Sequence, residues 1–592
     1  MTTDAVRIGN CSGYYGDRLS AMREMLEGGD LDYLTGDYLA ELTMLILGRD
    51  RMKDESLGYA KTFVRQMTES MALAKQRGVR IVANAGGLNP AALAARLREI
   101  AADRGLELSI AHVEGDDLSA RFTDSLTANA YLGAFGIAAA LRAGADVVVT
   151  GRVTDASVVV GPAIAHFGWD RDDLDQLAGA VVAGHVIECG TQATGGNFSG
   201  FTHVDMSTPL GFPIAEIGAD GSVVITKHEG TGGAVTVDTV TAQLVYEIQS
   251  PLYLGPDVST KLDSMSLRQV APDRVAISGV VGEPPPATTK VCLNALGGFR
   301  NSVEFLLTGL DVPQKAALVR QQIEAAFAAG TRPDTVEWHL DRTDAGDPDT
   351  QARATSLLRL NVRSDAPEPV GRAFSDAAIQ IALASYPGFS VSRPPAAGTP
   401  YGVYRAAYVP QTEVPHVVVH ADGRREDIPP PSDANPSAGG TSRLRGSGAD
   451  SHESPSQNRG AAPLAEPGGT TRTPLGRLVH ARSGDKGGDA NIGVWIPADH
   501  PARDDAYAWL VDLLDVDTVR ELLPEAATLD IDIHLLPNLR AVNIVVHGLL
   551  GEGVASSTRL DPQAKGVGEW FRARVCEIPT VLLLDPAAEA SP

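Results

Sequence analysis

The chain has 592 residues, of which 43% are apolar and 5% aromatic, and its formal net charge at pH 7 is −24. This length exceeds what one hydrophobic core usually serves, so we expect two or three domains with largely aliphatic cores. The negative charge argues against nucleic acid as a main partner, because phosphate contacts need clustered Lys and Arg.

Cysteine usage and hydropathy indicate the compartment. The four cysteines, Cys11, Cys189, Cys292 and Cys576, are too scattered for a disulfide framework. The sequence shows no apolar segment of about 18 residues or more, and therefore predicts no membrane span. The first residues lack the pattern of a signal peptide. We expect a cytoplasmic protein.

Residues 1–207 alternate short apolar runs with helical patterns, as in "GVRIVANAGGLNP" followed by "AALAARLREIAADRG". Strands that alternate with helices predict βαβ units, and hence an α/β domain with a mainly parallel sheet. Asn89 is suited to cap one of these helices, and Pro90 to occupy its first turn.

The pattern of predicted strands and helices changes after residue 207. Over residues 208–420 strands and helices no longer alternate strictly, so we expect a second lobe with a mixed α/β structure. Residues 421–472 are rich in Pro, Gly and Ser and nearly free of large apolar residues. Such a segment cannot bury enough surface to offset its ordering entropy, and we predict a flexible linker.

Residues 473–592 read as strand, glycine-rich loop, strand, helix, strand, strand, helix. This order predicts a C-terminal α+β domain of the ferredoxin-like type. Two of its histidines, His534 and His547, can flank each other on paired strands, although a satisfied surface histidine is the default interpretation.

The glycine-rich loop lies in "HARSGDKGGDANIGVW". A phosphate-binding P-loop needs G-x-x-x-x-G-K-[ST] between a strand and a helix. Here Lys486 precedes the adjacent glycines, and a strand follows. Two interpretations stay open: a tight turn with surface charges, or a polar loop presented to a ligand or to the rest of the chain. We expect the loop to face the N-terminal part. Its candidate binding residues are Arg482, Ser483, Asp485 and Lys486.

Polar residues that follow the predicted strands are further candidates, because ligands of open parallel sheets bind beyond the carboxyl ends of the strands. Asp37 and Asp155 are candidate bases, although Asp155 can equally cap the next helix. Arg152 can pair with a carboxylate or phosphate. The other candidate binding residues of this group are Asn10, Ser12, Gly13, Asn84, Gly86 and Gly87.

The stretch "HVIECGTQATGGNFSGF" contributes a second group. His185 and Glu188 are spaced to share a helix face, and Glu188 is a third candidate base. No third metal ligand is evident, so we predict no metal and no other cofactor. Gly195, Gly196 and Asn197 form either a loop whose N–H groups bind an oxyanion or a simple turn.

Several long motifs resemble one family. They are "RIGNCSGYYGDR", "LDYLTGDYLAELTM", "IVANAGGLNP", "VTGRVTDAS", "GTQATGGNFSGF" and "ARSGDKGGDANIGVW". Together they resemble the acyclic terpene utilisation protein A (AtuA) family over nearly the whole chain except the linker. The SGDKGG element resembles the hallmark of that family's C-terminal ferredoxin-fold domain. The resemblance implies a role in catabolism of citronellol- and geraniol-type compounds, whose intermediates are branched acyl-CoA esters, without an assigned chemical step.

Two functional hypotheses follow. The first is an enzyme for branched or carboxylated acyl-CoA esters that acts by hydration, dehydration or a related lyase step. Such a step needs an acid/base pair and an oxyanion site but no redox cofactor, and CoA enters as part of the substrate. The Gly86–Gly87 or Gly195–Gly196 loops would supply the oxyanion donors. The alternative is a non-catalytic binding or scaffold protein that assembles pathway enzymes. We expect a homo-oligomer.

Overall fold

The computed structural model describes residues 5–435 and 469–583. These form two compact units. The first holds the described residues within 1–294, 404–554 and 561–592, and the second holds 295–403 and 555–560. Most of the predicted linker, residues 436–468, lies outside the described residues, whereas Arg425–Asp427, near its start, forms a strand.

Strands and helices alternate through the N-terminal stretch, as predicted. The elements are β1 (Val6–Asn10), α1 (Ala21–Gly28), β2 (Tyr33–Gly36), α2 (Glu41–Lys53), α3 (Lys61–Arg77), β3 (Arg80–Ala83), α4 (Pro90–Asp103), β4 (Ile110–Glu114), β5 (Thr127–Ala130), α5 (Phe135–Arg142), β6 (Val147–Thr150), α6 (Ser157–Phe167), α7 (Leu174–Ile187), β7 (Pro213–Ile217), β8 (Val223–Lys227) and α8 (Val237–Leu244). Helix α4 confirms its predicted start: the Asn89 side chain accepts a 3.2 Å hydrogen bond from the Ala92 N–H, and Pro90 is the first helical residue.

The following stretch is richer in strands. Its elements are β9 (Leu252–Leu254), β10 (Ser259–Lys261), β11 (Ser266–Ala271), β12 (Arg274–Ser278), β13 (Val281–Glu283), β14 (Thr288–Thr308), α9 (Val312–Ala329), β15 (Thr335–Asp341), β16 (Thr355–Ser364), α10 (Arg372–Ile379), β17 (Thr399–Pro410), β18 (Val417–Val419) and β19 (Arg425–Asp427). Strands β13, β10 and β9 form a small sheet of their own.

One eleven-stranded sheet organises the first unit, in the order β11-β12-β8-β7-β1-β2-β3-β6-β4-β18-β19. Its centre, β1-β2-β3-β6-β4, is parallel, which confirms the predicted α/β architecture. All four residues of β6 are buried, as expected for a strand that is covered on both faces. The flanking strands β7, β8, β11 and β12 join this same sheet, so the predicted mixed lobe over 208–420 is not confirmed as a separate body.

The second unit is built on β15-β16-β14-β17. Strand β16 buries every second residue, and its side chains Leu358, Leu360 and Val362 belong to the same apolar cluster as Val319 of α9 and Phe374 of α10. This alternation is typical of an antiparallel sheet that is covered on one face.

The C-terminal domain, residues 469–583, contains the predicted succession of strands and helices, with two helices in place of the first predicted one and with an additional strand at each end. Its elements are β20 (Thr470–Pro474), β21 (His480–Lys486), β22 (Asp489–Trp495), α11 (Arg503–Leu513), α12 (Val516–Leu522), β23 (Ile531–Leu536), β24 (Ala541–Val546), α13 (Val567–Ala573) and β25 (Val575–Pro579). The order β21-β22-β24-β23 gives an antiparallel sheet, and β20 pairs with β25.

Strand β22 is buried on both faces. Ile492 and Val494 belong to the core of the C-terminal domain, whereas Trp495 belongs to the core under the large sheet. The Trp495 Nε1–H donates a 3.0 Å hydrogen bond to Asp238 at the start of α8. The β21–β22 sheet therefore packs against the part of the first unit that contains α8.

Two asparagines of this sheet bind the backbone that follows α8. Asn491 Nδ2–H donates to the Val245 carbonyl at 2.7 Å, and Asn491 Oδ1 accepts from the Glu247 N–H at 2.8 Å. Asn543 Nδ2–H donates to the Ile248 carbonyl at 3.2 Å. Residues 245–248 are thus positioned by side chains of the C-terminal domain.

Among the helices of the described residues, none combines the length and apolar character that crossing a bilayer requires.

Replacing Asn491 with Ala leaves the Val245 carbonyl and the Glu247 N–H without their partners in a buried environment. We expect a loss of about 3 kcal/mol in the free energy of unfolding, since each orphaned buried group costs about 1–3 kcal/mol. Urea denaturation followed by tryptophan fluorescence measures it, with Asp512→Asn on the exposed face of α11 as the control. A loss below about 1 kcal/mol would contradict the assigned role.

Candidate functional site

A cavity of about 730 Å³ lies in the first unit. Its walls come from the β6–α6 loop, the backbone after α8, the start of β14, the end of β17 and the β21–β22 hairpin. The charged residues that line it are Asp155, Glu247, Lys290, Arg405, Lys486, Asp489 and His547.

The β6–α6 loop brings Asp155 to the cavity wall and buries Arg152 behind it. The Arg152 guanidinium donates to Asp155 Oδ1 at 2.7 Å and to the Leu39 carbonyl at 2.9 Å. It also lies 4.3 Å from the centre of the Tyr131 ring. Asp155 makes no capping bond to α6, so of its two predicted roles the helix cap is wrong. Arg152 does not line the cavity, because its side chain is only 2% exposed.

The three predicted carboxyl groups form one interacting cluster around Arg152. Burial raises the pKa of Asp37 and of Glu188, and the charge of Asp155 raises both further. Burial also raises the pKa of Asp155, against the opposing charges of Arg152 and Lys486. The ionisation of these three acids is therefore coupled, both to one another and to the charge of Arg152.

Asn84 and His185 support this cluster. The Asn84 Nδ2–H donates to Asp37 Oδ1 at 2.5 Å. His185 and Glu188 share a helix face as predicted, with Nδ1 and Oε1 3.3 Å apart. Burial lowers the pKa of His185 to about 4, so the ring is neutral. Within residues 5–435 and 469–583, no group of three or more His, Cys, Asp and Glu side chains is arranged to hold a metal ion.

Glu247 was not predicted from the sequence. It follows α8 with a φ of 55°, and its carboxylate accepts a 2.8 Å hydrogen bond from Lys565 Nζ. Burial raises the pKa of Glu247, but the charges of Lys565 and Lys486 lower it by more, so the group is ionised. Lys565 also lies 3.5 Å from Asp485, whose pKa burial and the Glu247 charge raise to about 7.

Lys290 and Glu41 were also missed. The Lys290 ammonium lies 3.4 Å from Glu41 Oε1 and about 5 Å from the centres of the Tyr131 and Tyr404 rings, within cation–π range. Burial raises the pKa of Glu41, but the charges of Lys290, Arg152 and Lys486 lower it overall, to about 2. An isolated Lys in a strand and an isolated Glu in a helix carry no sequence signal for this pairing.

The SGDKGG segment is a tight hairpin between β21 and β22, and its tip lines the cavity with Lys486, Gly487, Gly488 and Asp489. Gly487 has a φ of 68°, and a Cβ at this position would lie 2.7 Å from the Tyr404 ring. Glycine is therefore required both by the turn and by the close approach. The tight turn is confirmed, and its tip lines a cavity, whereas binding of a ligand by this loop stays a prediction.

Two models of known families match the chain. The acyclic terpene utilisation family protein AtuA model matches residues 6–420, and the AtuA ferredoxin-like domain model matches residues 473–575. The chain belongs to the AtuA family. This confirms the predicted family and the ferredoxin-like character of the C-terminal domain. No curated protein and no solved structure matches the chain.

In this AtuA family protein, Arg482 and Ser483 do not line the cavity. The Arg482 guanidinium lies 4.3 Å from the centre of the Tyr246 ring, donates to the Asn197 carbonyl at 2.9 Å and hydrogen bonds to Gln192. Ser483 Oγ–H donates to the Ala564 carbonyl at 2.6 Å. Both side chains serve packing between elements rather than the cavity wall.

The remaining predicted binding residues do not line the cavity either. Asn10 Nδ2–H donates to the carbonyls of Ile187 and Glu188 at 2.6 and 3.0 Å, and Asn10 Oδ1 accepts from the Ser12 N–H at 2.7 Å. A Cβ on Gly13 would lie 2.6 Å from the Cys189 carbonyl carbon. These residues allow α7 to pack closely on the end of β1.

Three N–H groups of the predicted oxyanion loops form hydrogen bonds within their own turns. The Gly87 N–H donates to the Asn84 carbonyl at 3.2 Å, and the N–H groups of Gly195 and Gly196 donate to the carbonyls of Gln192 and Thr191 at 3.3 and 3.0 Å. Gly86 packs against the Thr150 carbonyl. These three N–H groups are engaged within turns, so they do not point to an oxyanion.

His547 stands at the cavity wall between two carboxylates of the AtuA ferredoxin-like domain. Its Nδ1 lies 3.1 Å from Asp489 and its Nε2 lies 2.9 Å from Asp532. The hydrogen bond to Asp489, with that to Asp532, raises the pKa of His547 to about 9. The default interpretation of a satisfied histidine holds, with the carboxylates as its partners rather than His534.

A His547→Gln variant tests these ion pairs through pH. Because the folded-state pKa of about 9 exceeds the ordinary 6.5, the imidazolium stabilises the fold fully below pH 6.5 and loses this effect as pH rises through 9. We expect wild type to exceed the variant in unfolding free energy near pH 6, and the difference to vanish near pH 10. Urea denaturation at both pH values measures this. An equal difference at both would contradict the ion pairing.

Proposed function

We propose that this protein is an enzyme that hydrates, dehydrates or cleaves branched or carboxylated acyl-CoA esters in acyclic terpene utilisation. The single observation that carries the proposal is the Asp155 carboxyl group, which lines a cavity of about 730 Å³ and interacts electrostatically with the buried acids Asp37 and Glu188. The family's role in acyclic terpene utilisation supports the substrate class.

The carboxyl cluster suits general acid/base chemistry. In hydration, the oxygen of water adds to Cβ of the acyl chain and a proton adds to Cα; dehydration reverses both steps. A group that gives and takes protons near neutral pH serves both directions, and burial brings carboxyl pKa values toward that range. Asp155 is the acid of this cluster that lines the cavity. Glu188 and Asp37 do not line it and influence the pKa of Asp155 through their charges.

The cavity suits a ligand of this kind. Small-molecule sites typically enclose about 300–1,000 Å³ and combine apolar walls with a few placed polar groups. Here Leu252, Tyr253 and Leu254 line the cavity together with carboxyl and ammonium groups. The apolar side chains are suited to a branched acyl chain, and the charged groups to its reacting end.

The buried charges also weigh against the scaffold alternative. Each ion taken out of water costs several kcal/mol before its partner offsets it. Docking of other proteins gains nothing from such a buried cluster, whereas acid/base catalysis uses the shifted carboxyl pKa values that burial produces.

A turnover screen tests the proposal. Purified wild type, Asp155→Asn and Asp117→Asn are incubated with branched, unsaturated, 3-hydroxy and carboxylated acyl-CoA esters, and product masses are followed. Asp117 is an exposed carboxylate after β4 and serves as the matched control. We expect wild type and Asp117→Asn to add or remove water, and Asp155→Asn to lose about 10²-fold or more in kcat.

Two outcomes contradict the proposal. Full turnover by Asp155→Asn would remove that residue from the chemistry. The absence of turnover and of binding across the panel would favour the scaffold alternative.

A further inference from the structure

The charged groups that line the cavity have a partner of opposite charge, with one exception. Asp155 is paired with Arg152, Glu247 with Lys565 and Lys290 with Glu41, at 2.7, 2.8 and 3.4 Å. At the rim, Arg405 is paired with Asp124 and Asp489 with His547, at 2.7 and 3.1 Å. For Lys486, the described part of the chain supplies no ion-pair partner.

Lys486 is held in a defined place. It ends β21 and pairs across the hairpin with Asp489, directly before the glycine that packs against Tyr404. Its side chain is half-buried. The backbone that carries this ammonium group is therefore fixed at the cavity wall.

The carboxylates around Lys486 do not pair with its positive charge. The nearby carboxylates whose pKa lies below its usual range, Glu41 and Glu247, each contact another lysine. Burial, together with the Asp155 charge, keeps Asp37 and Glu188 toward the neutral form by raising their pKa. Lys486 is thus the lysine of this wall that has no carboxylate of the described residues within ion-pair distance.

We infer that Lys486 binds a carboxylate on the acyl portion of the substrate. This inference rests on the proposed function and narrows it from branched or carboxylated esters to carboxylated ones. It also moves the predicted carboxylate-binding role from Arg152, which lies behind Asp155, to the tip of the hairpin.

A carboxylate fits this position better than a phosphate of CoA. Lys486 presents one point charge, with the carboxylates of Glu41, Asp155 and Glu247 in its surroundings. A phosphate dianion bound to this one ammonium group keeps a net negative charge beside these carboxylates, whereas the charge of a monoanionic carboxylate is balanced by it. The only guanidinium on the wall, within the described residues, is that of Arg405, which is paired with Asp124.

Binding of two matched thioesters tests the inference without turnover. Succinyl-CoA and butyryl-CoA have four-carbon acyl chains that differ in a terminal carboxylate. Isothermal titration gives their Kd values for wild type, Lys486→Met, Lys486→Gln and the control Arg405→Met. We expect wild type and Arg405→Met to bind succinyl-CoA about tenfold tighter than butyryl-CoA, or more. A hydrogen bond to a charged group supplies a difference in binding free energy of this size. Both Lys486 variants should bind the two esters equally, with unchanged affinity for butyryl-CoA.

Three results would overturn the inference. They are equal binding of the two esters by wild type, a preference for succinyl-CoA that survives in both Lys486 variants, and an equal weakening of both esters and of free CoA in those variants. The last result would assign Lys486 to a CoA phosphate.

A separate arm keeps this inference distinct from the proposed function. If neither ester nor free CoA binds wild type, the acyl-CoA proposal fails. Free succinate and butyrate are then compared by ligand-observed NMR. Binding of succinate that Lys486→Met abolishes would support the carboxylate site, and its absence would overturn it.

Discussion

The arrangement of the first unit depends on the hydrogen bonds between two asparagine side chains and the backbone after α8. Asn491 and Asn543 bind the carbonyls of Val245 and Ile248, and Asn491 also accepts from the Glu247 N–H. Backbone groups buried away from water need such partners. These bonds join the C-terminal sheet to the α/β part, and they place both Glu247 and the hairpin tip at one cavity.

Burial of charge is the second constraint. Arg152, Lys290 and Lys565 each meet a carboxylate at the wall or behind it, and the acids without such a cation have raised pKa values. Removing one residue of such a pair would leave the other charge buried and unpaired. The resulting loss in free energy of unfolding exceeds the stabilisation that the intact pair provides. The cluster is therefore a coupled set, and the state of Asp155 depends on groups that the ligand never contacts.

Much of the fold could be predicted from local patterns. The alternation of strands and helices, the Asn89 cap and the order of elements in the C-terminal domain each follow from short stretches of sequence. The local patterns did not predict that β7, β8, β11 and β12 belong to the large sheet. Strands that pair far apart in the sequence leave no local pattern. The predicted boundaries at residues 207 and 420 remain predictions about domains.

The residues of the candidate site could likewise be predicted only in part. The rule that ligands lie beyond parallel strands found Asp155, and the unusual SGDKGG composition found Lys486. The same rule also selected Asn10, Gly13 and Gly86, which pack elements closely, since a glycine after a strand looks alike in both roles. Glu247 and Lys290 were missed because a positive φ at a non-glycine residue and a lysine buried by tertiary contacts have no signature in the sequence.

A crystal structure of the full chain with succinyl-CoA tests the proposed site most directly. We expect the acyl carboxylate to lie within hydrogen-bonding distance of Lys486 Nζ and the thioester to lie beside Asp155, with the hairpin against Tyr404. A ligand bound elsewhere, or one that turns its CoA phosphates toward Lys486, would contradict this expectation.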